Sequence, residues 1–183
     1  PHKTLFLPFG TGTILVKNKE KLLKAYHYLA DYMQDTIDAD EEISPADISP
    51  EQTKHFRGMR MWLPLKLFGL KPFRASLEEK LYLTKYFYDE IKKMKGFVVG
   101  PEPELSVAIF RYVPSNKNAD FFNKKLIQAI QKDGRIFLSS TNINGTFWIR
   151  IAVVSFRTHL VHIELLLAII KENVKNISLD LNL

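Results

Sequence analysis

The sequence predicts an α/β protein whose C-terminal part is an α+β unit. Apolar residues recur at the helical spacing of three and four between Leu70 and Ile91. Four segments rich in β-branched and aromatic residues follow Gly96, and the last two flank Asn144-Gly145, a strong β-hairpin signal. The composition, with 46% hydrophobic and 25% charged residues in 183, is globular and excludes a disordered chain or a coiled coil.

The N-terminal part combines extended, helical and loop patterns. Residues 4–16 predict extended chain, with a turn at Gly10-Thr11-Gly12 and a strand over residues 13–16. Residues 19–33 predict a helix that leads into a loop. The acidic stretch over residues 35–42 predicts the most mobile part of the chain, although an acidic run is also typical of ordinary solvated surface.

The C-terminal part predicts helices packed on a sheet. Residues 56–67 lead into the long amphipathic helix, and Gly96 stands where a glycine ends a helix. Gly134 is expected to end a further helix in the same way. The predicted strands cover residues 97–99, 106–113, 135–140 and 147–154, and the predicted helices cover residues 118–132 and 158–173. Helices packed on such strands make an α+β unit of roughly residues 96–178.

Composition excludes several classes of function. The chain has no cysteine, which excludes disulfides, a thiol nucleophile and thiolate metal sites. The net charge of +6 is spread over predicted polar helix faces, so we expect solvated surface and no nucleic-acid partner. The longest apolar stretch, residues 59–73, contains three basic residues and two prolines, so no membrane partner is expected. His159 and His162 lack a visible third ligand, so no metal is expected either.

Two residues could carry chemistry. Lys3 has apolar neighbours, and partial desolvation favours the neutral amine, which can form an imine. A surface lysine near the start of the chain is the ordinary alternative. Arg150 stands in a predicted strand between Ile149 and Ile151, where a guanidinium requires a carboxylate partner. That partner could equally belong to a structural salt bridge.

An ordered series of motifs resembles the C-terminal portion of the group II pyridoxal-phosphate (PLP) decarboxylases, the family of aromatic-L-amino-acid decarboxylase. The resemblance covers nearly all of the chain, and its specificity lies in the order and spacing of the motifs. The series is Pro1-His2-Lys3, Phe9-Gly10, Tyr28-Leu29-Ala30-Asp31-Tyr32, Phe56-Arg57-Gly58-Met59-Arg60-Met61-Trp62, Phe147-Trp148-Ile149-Arg150-Ile151-Ala152 and Ser155-Phe156-Arg157-Thr158.

The resemblance implies roles for four residues. It implies that Lys3 binds PLP as an internal aldimine and that His2 helps to hold the cofactor phosphate. Tyr32 matches the tyrosine of a mobile loop, here about residues 32–50, that closes over the active site, often that of the partner subunit. In the family this tyrosine protonates Cα of the quinonoid after CO2 leaves. Arg150 matches a position near the active site that in some relatives meets a substrate carboxylate.

The resemblance also implies a fold-type-I architecture, of which this chain holds the end of the large domain and the small C-terminal domain. We expect residues 1–75 to be the tail of the PLP-binding domain, residues 76–95 a connecting helix and residues 96–183 the small domain. The chain opens on Pro1-His2-Lys3 without an initiator methionine, so we expect a piece of a larger protein that is inactive alone. Its expected partners are an amino-acid substrate, the upstream PLP-binding region and a second copy, in the cytoplasm.

Two other functions remain open from the sequence. One is another fold-type-I PLP reaction, such as oxidative decarboxylation with deamination, although retention of Tyr32 favours simple decarboxylation. The other is a non-catalytic basic α+β interaction domain, which would bind polyanions with a steep dependence on salt.

Overall fold

The computed structural model describes residues 1–27, 43–51, 53–115 and 118–181. Within these residues the chain forms five helices and four strands. The chain divides into two compact units, the first of Pro1–His2 and Leu7–Leu67 and the second of Lys3–Phe6 and Phe68–Leu183. No helix in this described part combines the length and the apolar composition needed to cross a bilayer.

The first unit contains little regular structure. Helix α1 (Lys19–Tyr26) begins after Asn18, whose Oδ1 accepts the N–H of Glu20 at 2.9 Å. Helix α2 (Met59–Phe68) starts in this unit, and neither helix buries a residue. The strand predicted over residues 13–16 is not formed. A strand needs a neighbour with which to exchange hydrogen bonds, and the four strands of the described residues all lie in the second unit.

Helix α3 (Lys71–Lys93) begins the second unit's core. Its apolar stripe buries Leu83, Phe87 and Ile91, as the helical spacing predicted. The helix ends at Met94, and Gly96 follows with a φ of 84°, in the left-handed region that favours glycine. A side chain there would also meet the ring of Tyr112, so Gly96 makes the turn from the helix into the sheet possible.

Four antiparallel strands form one sheet in the order β1-β2-β4-β3. The hairpin between β3 and β4 is confirmed, because Asn144 and Gly145 have φ values of 50° and 77°, as a two-residue turn of this kind requires. The predicted third strand began too early: residues 135–138 precede it, and the observed strand pairs with β4 up to the hairpin. The strands are β1 (Phe97–Val99), β2 (Val107–Tyr112), β3 (Ser139–Ile143) and β4 (Thr146–Ala152).

Two further helices complete the second unit. Helix α4 (Ala119–Asp133) is capped by the Asn118 side chain and ends at Gly134, whose φ is 78°. Helix α5 (Leu160–Asp180) extends beyond the predicted end at residue 173, and the additional turns bury Ile177. Helices α3 and α4 pack on the sheet, and α5 packs on both of them. The predicted α+β unit, with helices packed on strands, is therefore confirmed, and the structure shows that its sheet is antiparallel.

The hydrophobic core lies between the sheet and these helices. Alternate residues of β2 and β4 are buried, as expected for strands with one face on the core. Their fully buried members include Phe110 and Ile149, which meet Phe87 of α3 and the apolar side of α4 within one cluster. Burying each such side chain contributes about 1.5–3 kcal/mol to stability. This cluster therefore fixes the framework from which the loops of the second unit extend.

Candidate active site

The Lys3 segment forms a tight turn in the second unit. The N–H of Phe6 donates to the carbonyl oxygen of Lys3 at 3.3 Å, and Phe6 has a φ of 55°. Its ring packs edge-on against Phe156, with the ring centres 6.2 Å apart. The Lys3 side chain is exposed and has no hydrogen bond or ion pair within the described residues. Within the described residues this amine is accessible, and the role of Lys3 stays a prediction.

The loop that carries Phe156 is fastened to α3 by a buried lysine. Lys80 is only 2% exposed, and its ammonium donates to the carbonyl oxygen of Thr158 and to Glu79 Oε2, the latter at 2.7 Å. Glu79 Oε1 in turn lies 2.7 Å from Nδ1 of His159, the N-cap residue of α5. Hydrogen bonds from Lys80 and then from His159 hold the pKa of the Glu79 carboxyl below its ordinary value of 4.5.

Of the other predicted site residues, the described part contains His2 but not Tyr32. The His2 side chain is exposed. Tyr32 and the first part of the predicted loop of residues 32–50 lie outside the described residues. From Ser44 onward the loop is folded on itself, since Asp47 accepts the N–H of Ser44 at 2.9 Å and lies 3.3 Å from His27 Nδ1. The division into domains at residues 75 and 95 stays a prediction.

Arg150 is half-buried on the face of the sheet opposite the core. It pairs with Ile109 of β2 and with Ser139 of β3, and its Nη1 donates to the Ser139 hydroxyl at 3.2 Å. No carboxylate among the described residues lies within 4 Å of its guanidinium. The predicted carboxylate partner is thus not found in the described part, and a hydroxyl occupies one donor in its place. The other N–H groups of the Arg150 guanidinium are available to donate hydrogen bonds to an anion.

A second arginine on the same face was missed by the sequence analysis. Arg111 stands two residues after Ile109, the β2 partner of Arg150, and its Nη2 donates to Asp120 Oδ1 at 2.7 Å. Its guanidinium lies 5.8 Å from the ring centre of Trp148. Side chains alternate between the two faces along β2 and β4, and this alternation was the signal that could have placed both arginines on one face.

Lys80 was also missed, because a lysine in an amphipathic helix is typically solvated. The signal was its position three residues after Leu77 and four before Thr84, which both belong to the predicted apolar stripe. A polar side chain within such a stripe indicates a buried hydrogen bond. Here the Lys80 ammonium makes that bond with the Thr158 carbonyl.

The first unit holds a cavity of about 300 Å³, lined in part by Thr11, Arg57 and Trp62. The Thr11 hydroxyl is buried and has no hydrogen-bond partner in the described part of the chain. In the same unit, Arg60 Nη1 donates to the carbonyl oxygen of Phe9 at 2.5 Å. Neither Lys3 nor His2 lines the cavity. Across residues 1–27, 43–51, 53–115 and 118–181, no group of three ligating side chains could hold a metal ion.

Comparison with known proteins accounts for the motif series. The pyridoxal-dependent decarboxylase conserved domain matches residues 1–113. Aromatic-L-amino-acid decarboxylase of Bacillus atrophaeus is 29% identical over 163 residues, which cover 86% of this chain and 34% of that protein. Phenylacetaldehyde synthase of Petunia hybrida is 24% identical over 175 residues, which cover 90% of this chain and 35% of that protein.

A solved structure shares the fold. The crystal structure of Oryza sativa TDC with PLP and tryptamine matches with a TM-score of 0.80 at 19% identity, covering 88% of this chain and 35% of that one. The fold-type-I resemblance is confirmed at the level of the fold. The chain spans about a third of the length of the relatives that it matches. Since the conserved domain alone covers more than half of its residues, the chain belongs to the pyridoxal-dependent decarboxylase family.

Proposed function

We propose that the protein carrying this chain decarboxylates an L-amino acid to its amine and CO2 with PLP as cofactor, and that Lys3 binds the cofactor. The observation that carries this proposal is the decarboxylase domain match, which includes Pro1-His2-Lys3. The accessible Lys3 amine, which no described residue engages, supports it. A neutral primary amine is the group that condenses with an aldehyde.

The residues of this chain divide the remaining work. PLP, when bound, supplies an aldehyde for the amines and a ring that takes up the electron pair released as CO2 leaves. Lys3 Nζ would hold the cofactor covalently, and a substrate amine would take its place. His2, the residue before Lys3, would donate an N–H to the cofactor phosphate. Both side chains are exposed, so this turn can meet a ligand without rearranging the second unit's core.

Tyr32 moves the proton. We assign its phenol hydroxyl as the general acid that protonates Cα after CO2 has left, and the loop of residues 32–50 as the cover that excludes water. The support is the sequence, which has a tyrosine at the family's position, followed by the acidic stretch of residues 35–42. Removing that hydroxyl leaves Cα without its proton donor, and the expected consequence is a change of product.

Arg150 orients the substrate. The support is a half-buried guanidinium on the open sheet face, with one hydroxyl as its described partner. Such a group binds a carboxylate through paired N–H donors. The name of one relative, aromatic-L-amino-acid decarboxylase, makes aromatic L-amino acids the first substrate class to test. Amino acids with an acidic side chain are a second substrate class, because the Arg150 guanidinium would also bind a side-chain carboxylate.

Oxidative decarboxylation with deamination is the second candidate, because one relative is a phenylacetaldehyde synthase. The two reactions give different products: an amine and CO2 in one, and an aldehyde, ammonia, CO2 and hydrogen peroxide in the other, with O2 and water consumed. Retention of Tyr32 favours the first. A non-catalytic basic domain is the third candidate, and it would carry no cofactor on Lys3.

Three further points belong to the same proposal. The 183 residues do not catalyse on their own, because they span only about a third of their relatives' length. The active protein is a homodimer in which each loop of residues 32–50 covers a site shared with the partner. It works in the cytoplasm.

The test is to reduce the intact protein with borohydride in the presence of PLP and to locate the phosphopyridoxyl group by peptide mass spectrometry. We expect it on Lys3, with release of CO2 and amine from aromatic L-amino acids. Lys3→Arg should remove both, whereas Lys17→Arg, a change at another exposed lysine, should remove neither. An unmodified Lys3 peptide in active protein would contradict the proposal, and an aldehyde product would support the second candidate.

A further inference from the structure

Two contacts connect the buried Lys80 with the turn that carries Lys3. The first is the hydrogen bond from the Lys80 ammonium to the Thr158 carbonyl, reinforced by the bond between Glu79 and His159. The second is the edge-on packing of Phe156 against Phe6. Residues 155–158 therefore lie between α3 and the turn of residues 3–6, and all of them belong to the second unit.

The Lys80 end of this connection is rigid. Lys80 is 2% exposed, and its neighbour Thr84 is fully buried, with its hydroxyl bonded to the Lys80 carbonyl oxygen at 2.8 Å. An ammonium buried so deeply depends on the Thr158 carbonyl, because water does not reach the ammonium to take that acceptor's place. The carbonyl of Thr158 is consequently fixed to α3, which is anchored in the core through Phe87 and Ile91.

The Lys3 end has few restraints of its own. Lys3 and Thr4 are exposed, and Phe6 is half-buried with a left-handed φ of 55°. A non-glycine residue adopts this φ only when its surroundings hold it there. The described contacts that do so are the Phe6–Lys3 hydrogen bond and the Phe156 ring. Phe156 is itself 50% exposed, so its position depends on the loop that Lys80 fastens.

We propose that Lys80 is a positioning residue for Lys3: by fixing residues 155–158 it holds Phe156 against Phe6 and so sets the direction of the Lys3 amine. This inference rests on the proposed function, in which that amine binds PLP. It assigns a task to a buried charge that the chemistry itself does not use.

The test compares Lys80→Met and Phe156→Leu in the intact protein. Lys80→Met removes the hydrogen bond to the Thr158 carbonyl. Phe156→Leu removes the ring contact with Phe6 and leaves the core unchanged, so it tests the inference even if Lys80→Met does not fold. The matched controls are Lys85→Met, an exposed lysine of α3 paired with Asp89 and Glu102, and Phe137→Leu, an aromatic residue that is 78% exposed. Unfolding in urea checks that each variant is folded.

Two readouts are taken. Hydrogen exchange measures protection of the Phe6 amide without any cofactor, and we expect about threefold faster exchange in both test variants. The rate at which added PLP becomes borohydride-trappable on Lys3 measures the amine's placement, and we expect about a tenfold decrease. The controls should change neither. Lys80→Arg retains a charged donor, so compared with Lys80→Met it should restore much of the Phe6 protection and much of the trapping rate.

The outcomes separate this inference from the proposed function. Unchanged exchange at Phe6 in folded Phe156→Leu and Lys80→Met overturns the inference, as does faster exchange with an unchanged trapping rate. If the unsubstituted protein forms no Lys3 adduct, the proposed function fails, and with it the assignment of a task toward PLP. The exchange result then decides only whether Lys80 holds the turn.

Discussion

At the scale of single residues, the buried charge of Lys80 is the most consequential side chain in the second unit. Its ammonium is compensated by one carboxylate and one carbonyl oxygen. Burying an ammonium without such partners is costly, whereas a paired one is tolerated. Glu79 is the weaker half of the arrangement because it is 36% exposed and water can solvate it. The pair therefore contributes less than a fully buried ion pair would.

Replacing Glu79 by glutamine should destabilise the protein. The amide leaves the Lys80 charge without its carboxylate, and we expect a loss of about 1–2 kcal/mol in the free energy of unfolding, reduced by the partial exposure of the site. Urea unfolding followed by circular dichroism measures it. Glu78→Gln, at the exposed neighbouring position, is the matched control and should stay within about 0.5 kcal/mol of the unsubstituted chain. Equal losses in the two variants would contradict this reading.

The same carboxyl should make stability depend on pH. The pKa of Glu79 is lowered in the folded state from 4.5, so at low pH the unfolded state binds the additional proton. Its contribution is therefore fully present above the unfolded pKa and is lost as the pH falls through the lowered folded value. The groups that face it are Lys80 and His159, with His162 bonded to the latter.

Urea midpoints between about pH 3 and pH 6 test this dependence. The difference in stability between the unsubstituted chain and Glu79→Gln should be largest at the upper end of that range and shrink toward the lower end. The exposed Asp133 carboxyl, whose pKa Arg135 lowers, titrates equally in both proteins and cancels. A difference that grows as the pH falls would show that the carboxylate does not stabilise the folded state.

At the scale of secondary-structure elements, local patterns predicted most of the second unit and failed where the extent of a strand depends on its neighbouring strand. The hairpin at Asn144-Gly145 and the end of α4 at Gly134 depend on the φ preferences of one or two residues, which a sequence displays. The extended residues 13–16 and the late start of β3 depend on which strand lies alongside, and no local pattern contains that information. For the site, Lys3 and Arg150 came from the motif series, whereas Lys80 required the partner carbonyl 78 residues away.

A buried asparagine connects two of these elements. Asn123 of α4 is 0% exposed, donates to the carbonyl oxygens of Tyr112 and Ala119 at 2.7 Å each, and accepts the Tyr112 N–H at 2.9 Å. Asn123→Ala leaves the N–H and the carbonyl oxygen of Tyr112 without their side-chain partner at the end of β2, so we expect a loss of about 2–3 kcal/mol in the free energy of unfolding. Urea unfolding measures it. Asn142→Ala, an exposed position in β3, should cost far less, and a comparable loss would contradict the assignment.

At the scale of the whole molecule, stability should be unevenly divided between the two units. Helices α1 and α2 bury no residue, whereas nearly all of the buried apolar residues of the described part belong to the second unit's cluster. Segments with few buried apolar contacts open at low free-energy cost. The Lys3–Phe6 turn groups with the stable unit and not with the chain that follows it. The segment proposed to bind the cofactor would thus keep its anchor while the neighbouring residues open.

Native-state hydrogen exchange on the 183-residue chain tests this division. Amides of α1 and α2 should exchange with opening free energies within about 1–2 kcal/mol of zero, while those of β2, β4 and the middle of α4 should exchange only through global unfolding. The Phe6 amide should fall between these classes, because its hydrogen bond is held by Phe156 but lies at the surface. Protection of α1 equal to that of α4 would mean that the first unit is stabilised by burial as extensive as the second's, contrary to its exposed side chains. Exchange of Phe6 as fast as that of α1 would place the lysine turn in the first unit and remove the basis for its positioning by Lys80.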